Sequence, residues 1–119
     1  MLKLEILVMP LNSKQVEFSQ TLESLKSKLQ NLCFNIISDE QDKSFFLSAD
    51  FQSENKLIEV LQSKELCILS GAMKTLSDKS EITIHLNNST LKRKWPDLAK
   101  ARQYYLKKDK ENGSSLDSK

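Results

Sequence analysis

Glycine and proline are scarce, with two of each in 119 residues. That argues against a loop-dominated or collagen-like chain. Metal ligands are scarce too. There is one histidine, and the two cysteines, Cys33 and Cys67, form no CxxC pair, so no zinc site within one chain is expected. Both thiols read as small, reduced, buried apolar residues. No window approaches the ~20 apolar residues that a membrane span needs. The amino-terminal apolar run is broken by Lys3 and Glu5 and lacks the marks of a signal peptide. A cytoplasmic location is therefore expected, with no membrane partner. Neither sign of charge is in large excess: 18 Lys and Arg stand against 16 Asp and Glu. The balance is uneven along the chain. Residues 1–90 carry 9 basic and 12 acidic side chains; residues 91–119 carry 9 and 4. A basic tail of this kind suits anionic partners or simple solvation.

What is present is periodicity. Leu2, Leu4, Ile6 and Val8 alternate with Lys3, Glu5, Leu7 and Met9, which predicts a strand ended by Pro10. Asn12 or Ser13 is placed to cap a helix, with Asn12 and Gln15 spaced as a capping box. Phe18, Leu22, Leu25, Leu29 and Leu32 then make one apolar stripe over about twenty residues. The stripe stops too soon for a coiled coil, so it should pack on a sheet. Cys33 to Ser38 reads as a second strand and Ser44 to Phe51 as a third, joined by the polar turn 39–43. Ser53 caps a second helix bearing Leu57, Val60 and Leu61. After an interruption at Ser63-Lys64-Glu65, residues 66–76 form a further helical segment. Ser77 to Ser80 reads as a turn and Glu81 to Leu86 as a fourth strand.

The order β-α-β-β-α-β predicts an α+β, ferredoxin-like sandwich: a four-stranded antiparallel sheet with its helices on one face. The other face would hold Leu7, Met9 and at least one phenylalanine, too apolar to stand in water. Two such sheets facing each other would bury it and enclose a cavity. Three segments are expected: a domain over 1–90, a helical extension over 91–110 around Pro96, Leu98, Ala101, Tyr104 and Tyr105, and a structureless tail over 111–119. The extension is expected to dock on the body or a partner subunit, with its basic face in solvent, and nucleic acid is not the expected partner.

The stretch Phe51-Gln-Ser-Glu-Asn-Lys-Leu, then Leu61-Gln-Ser-Lys-Glu-Leu, then Gly71-Ala-Met-Lys-Thr-Leu, then Glu81-Ile-Thr-Ile, resembles the antibiotic biosynthesis monooxygenase family of dimeric α/β barrels. The likeness covers residues 1–88 and is strongest over 45–86. It implies a homodimer and a small aromatic or hydrophobic ligand. It also implies a cofactor-independent monooxygenase of a quinol-like molecule, without metal or flavin. The alternative is a non-catalytic ligand-binding or interaction module on the same fold. Three features depart from the family pattern. Phe51 stands where a tryptophan is frequent, Val60 stands where a histidine is frequent, and the usual Pro-Gly before the second strand is absent. Haem degradation, which uses an Asn, Trp and His set in that family, is not expected.

Three residues could take a proton from an acidic substrate: His85, because imidazole titrates near neutral pH, and Glu5 and Asp50, as carboxylates beside an apolar cavity. Phe51, Phe46 and Met9 are candidates to line a substrate pocket, and Asn12 to hydrogen-bond a substrate oxygen. The plainer alternatives are a rim histidine, solvated carboxylates, core phenylalanines and a helix cap.

Overall fold

Alternation of apolar side chains decides the architecture. In β1 (Leu2–Pro10), Leu2, Leu4, Ile6 and Val8 are 3% exposed or less, while Lys3, Glu5, Leu7 and Met9 point to the opposite face. The computed structural model describes residues 2–41, 43–86 and 92–117, with 108–117 described by backbone alone. After β1 come a 3-10 turn (Asn12–Lys14), α1 (Gln15–Asn31), β2 (Asn35–Asp39), β3 (Ser44–Phe51), α2 (Glu54–Leu61), α3 (Lys64–Leu76), β4 (Ser77–His85), β5 (Lys92–Trp95) and α4 (Leu98–Asp117). The strands form one antiparallel sheet in the order β2-β3-β1-β4-β5. This is the expected α+β, ferredoxin-like sandwich, with five strands rather than four.

The helices cover one face. Phe18, Leu22, Leu25 and Leu29 of α1 are each at most 5% exposed and pack on that face. Burial of such a side chain contributes roughly 1.5–3 kcal/mol, so this stripe fixes α1 more firmly than its modest helix propensity does. The partners on the sheet follow from register. Leu2 faces Phe51, Leu4 faces Ala49 and Ile6 faces Leu47 on one side, and Leu4 and Ile6 face Ile84 and Ile82 on the other. Ser53 and Ser63 cap α2 and α3, accepting from the Lys56 and Leu66 backbone N–H groups.

Several boundaries differ from the sequence expectation. The capping box does not form: the Gln15 side-chain amide donates to Asn12 Oδ1 at 3.3 Å, and the 3-10 turn leads into α1 without a side-chain cap. Residues 77–80, read as a turn, extend β4, because α3 passes straight into the strand and the Ser77 hydroxyl donates to the Met73 carbonyl. Cys33 and Cys67 are both exposed rather than buried. Cys33 falls just past α1 and Cys67 on the outer side of α3, so neither meets the sheet.

The segment after 91 begins with a strand that sequence periodicity did not announce. In Lys92-Arg93-Lys94-Trp95, Arg93 and Trp95 face the helix side, opposite Ile84 and Ile82, and Lys92 and Lys94 face the open side. Trp95 packs against Tyr104 and Tyr105 of α4, with ring centroids 5.6 and 5.9 Å away, and the Arg93 guanidinium lies 4.9 Å over the Tyr104 ring. Leu98, Ala101 and Tyr105 are buried, seating α4 beside α2 on the helix side. Residues 111–117, expected without regular structure, continue α4 as backbone helix. The expected boundary at residues 90 and 91 lies outside the described residues.

Candidate functional site

The open sheet face is laid out by strand register, since residues paired across antiparallel strands share a face. One row runs Asp50, Lys3, His85, Lys92. The next runs Asn35, Ser48, Glu5, Thr83, Lys94. The third runs Ile37, Phe46, Leu7, Glu81, and beyond it Met9 pairs with Lys79. The face is therefore divided along the strands: Ile37, Phe46 and Leu7 of the third row, with Met9 beyond, make an apolar strip, and the first two rows carry the charged residues Asp50, Lys3, Glu5, Lys92 and Lys94 around His85.

Within the charged half, two of the expected catalytic residues meet. His85 Nε2 lies 2.5 Å from Glu5 Oε1, a diagonal contact between β4 and β1. When Nε2–H donates to this carboxylate, Nδ1 keeps its lone pair and can accept a proton; Glu5 then stabilises the imidazolium that forms. Both side chains remain reachable from solvent, at 38% and 27% exposure. Asp50, the third candidate, shares the face but sits on the far side of Lys3 from His85.

The expected ligand-lining residues separate. Phe46 and Met9 are half-buried on the open face. Phe51 is 4% exposed on the other face, edge-on to Phe34 with centroids 6.5 Å apart, so it is part of the core. Asn12 is exposed beyond the far end of β1 and belongs to the turn before α1. Val60, at 3% exposure, also lies in the core.

The space between helices and sheet is closed by packed side chains, among them Leu4, Ile6, Leu57, Leu66 and Leu69, all fully buried. A separate groove of about 410 Å³ lies on the helix side, between the start of α1 and the β2–β3 hairpin. Val16 and Phe45 supply its apolar wall, and Gln15, Ser19, Ser38 and Lys43 its polar rim. It contains none of the expected site residues. Lys3 and Lys92, which flank His85 on the same row, were missed as candidates: Lys3 because its pairing with His85 follows from the β1–β4 register, and Lys92 because it belongs to β5, which the sequence did not announce. The only signal for it was the alternation of Arg93 and Trp95 with Lys92 and Lys94. Among the described residues, no group of three or more His, Cys, Asp or Glu could hold a metal ion, and no helix is long and apolar enough to cross a membrane.

A five-stranded antiparallel sheet, covered by helices on one face and, among the described residues, by none on the other, defines the class: the chain has the antibiotic biosynthesis monooxygenase fold. The solved structures it resembles make this specific. It aligns with an antibiotic biosynthesis monooxygenase at a TM-score of 0.64 and 9% identity, over 75% of this chain and 100% of that one. It aligns with Rv0793 of Mycobacterium tuberculosis at 0.64 and 11%, over 74% and 95%. A candidate antibiotic biosynthesis monooxygenase from Nitrosomonas europaea gives 0.63 and 8%, over 75% and 100%. At this identity the likeness is one of fold. No family model matches the sequence, and no curated protein matches it.

Proposed function

We propose that the protein is a cofactor-independent monooxygenase of a small aromatic or quinol-like molecule, acting as a homodimer through its open sheet face. One observation carries this reading: the only histidine of the chain is held against Glu5, at 2.5 Å, beside an apolar strip on that face. A second copy laid face to face would cover Leu7, Met9, Phe46 and Ile37, the last of them 58% exposed in the single chain. The charged half would then line the enclosed space.

In such a site His85 Nδ1 takes a proton from the CH2 group that an anthrone conjugates with its carbonyl through the rings, or from the phenol of a quinol, whose anion has carbanion character on the ring. The carbanion reduces molecular oxygen as a carbon–oxygen bond forms, and the imidazolium returns its proton to the peroxide anion to give a hydroperoxide. Loss of water, with breaking of the O–O bond, leaves a carbonyl. One oxygen atom enters the product and the other leaves as water, and the substrate supplies all four electrons. The protein's part is to hold the ring, take the proton and keep bulk water out. The test is oxygen uptake with a panel of anthrones and hydroquinones. Uptake that falls at least about a hundredfold in His85→Gln supports the reading, that being the usual weight of a positioned base. No uptake above a heat-killed control across the panel overturns it.

A second reading has its own support. Phe51 and Val60 occupy the positions where the resemblance leads one to expect tryptophan and histidine, and both are core residues here. That favours a ligand-binding module without turnover. Retention of an aromatic ligand with no oxygen consumed would separate it from the first reading.

A further inference from the structure

The row that contains His85 places a lysine on each side of it. Lys3 on β1 and Lys92 on β5 are both its direct register partners. Paired residues in an antiparallel sheet lie about 4.5–5.5 Å apart at Cα, so two flexible ammonium groups can converge above the imidazole. Both lysines are exposed, and among the described residues neither makes an ion pair. Their neighbours differ. Lys94, next on the same face of β5, is held by Glu81 at 3.4 Å. The Glu5 carboxylate is occupied by His85. Asp50 lies on the side of Lys3 away from the imidazole and makes no ion pair with it within 4 Å.

We propose that the ligand is an aromatic acid, its ring on the Leu7–Phe46 strip and its carboxylate bridged by Lys3 and Lys92 above His85. The proposal rests on the Glu5–His85 face being the site, and it adds what that reading leaves open, the charge of the molecule. The arrangement suits an anion for two reasons. Two lysines flank one imidazole, and the Glu5 carboxylate beside it is already engaged. Half of the clamp comes from β5, so the anion preference belongs to this chain's own carboxyl-terminal strand.

Hydroquinone and gentisate, which is hydroquinone bearing one carboxylate, make the test. Each is titrated without oxygen into the full-length protein, and the His85 ring resonances are followed, which are unambiguous because the chain has one histidine. Gentisate should bind roughly three- to tenfold more tightly at low salt, the range open to two exposed ion pairs. That preference should vanish at high salt, and in the Lys3→Gln, Lys92→Gln double variant. Equal affinity for the two ligands refutes the aromatic acid and leaves the Glu5–His85 site standing. A preference that survives the double substitution refutes the lysine clamp. Absence of any shift with either ligand removes the site and the proposal together. Both lysines are exposed, so loss of folding does not confound the variant, and unchanged Trp95 fluorescence checks this.

Discussion

Replacing Cys33 by glycine should stabilise the protein. The end of α1 is closed by paired hydrogen bonds: the Cys33 N–H donates to the Gln30 carbonyl at 2.9 Å and the Phe34 N–H donates to the Leu29 carbonyl at 3.0 Å. This is the Schellman pattern, which puts the residue after the cap in the left-handed region, and Cys33 has φ of 72°. A side chain with Cβ costs about 1–2 kcal/mol there. Glycine removes that cost but gives up about 0.5–1 kcal/mol to the freer unfolded chain. The net gain is about 0.5–1 kcal/mol, because the thiol is exposed and its loss sacrifices little burial. In a domain of this size that corresponds to roughly 2–5 °C in Tm. Thermal and urea unfolding under reducing conditions measure it, with Cys33→Ala as the control that keeps Cβ and should gain nothing. An unchanged urea slope would place the effect in stability rather than in compactness. A glycine variant no more stable than the parent would show that this turn is not strained, and that Leu29 and Phe34, both buried, already define it.

Leu29→Ala should cost about 2–5 kcal/mol in urea unfolding, since Leu29 is fully buried, whereas Val16→Ala, on the exposed side of α1 at 69%, should stay within about 0.5 kcal/mol. Burial, with the Glu54 charge second, pushes the Tyr105 phenol up from 10.0 to about 12. The unfolded chain therefore holds fewer protons between those values, so the stability contributed by the neutral phenol is whole below pH 10 and lost as pH climbs to about 12. The loss is on the order of 2–3 kcal/mol, and Tyr105→Phe should flatten that part of the pH profile. On the proposed face-to-face pairing, the parent should sediment as a dimer and Leu7→Glu as a monomer; a monomeric parent, or a variant that associates like the parent, would remove that interface.

The fold was legible where burial on one face imposes a strict period. β1 and α1 could be read directly, because Leu2 through Val8 and Phe18 through Leu29 face a single core. Boundaries were less legible, because they depend on partners distant in sequence. Residues 77–80 look like a turn by composition, yet they pair with the end of β1. β5 was hidden for a different reason. An edge strand has one neighbour, and lysines on it discourage pairing with other chains. A run of three cations therefore reads as a solvated tail, although Arg93 and Trp95 are committed to the Tyr104 and Tyr105 cluster.

The candidate site was legible as residue types and not as a constellation. Glu5 and His85 are 80 positions apart, and nothing in either local sequence says that they touch. Their meeting requires the β1–β4 register, with Lys3 opposite His85 and Glu5 opposite Thr83, which brings the two side chains onto one diagonal. The β1–β3 register decides between the phenylalanines. Phe51 pairs with Leu2 and goes to the core, and Phe46 pairs with Leu7 and goes to the open face. A slip of one residue in β3 would exchange them, carrying Phe45, Leu47, Ala49 and Phe51 to the open face and burying Ser48 and Asp50 under the helices. The sheet register, more than any single residue, thus decides which rings and which carboxylates stand on the face of the one histidine.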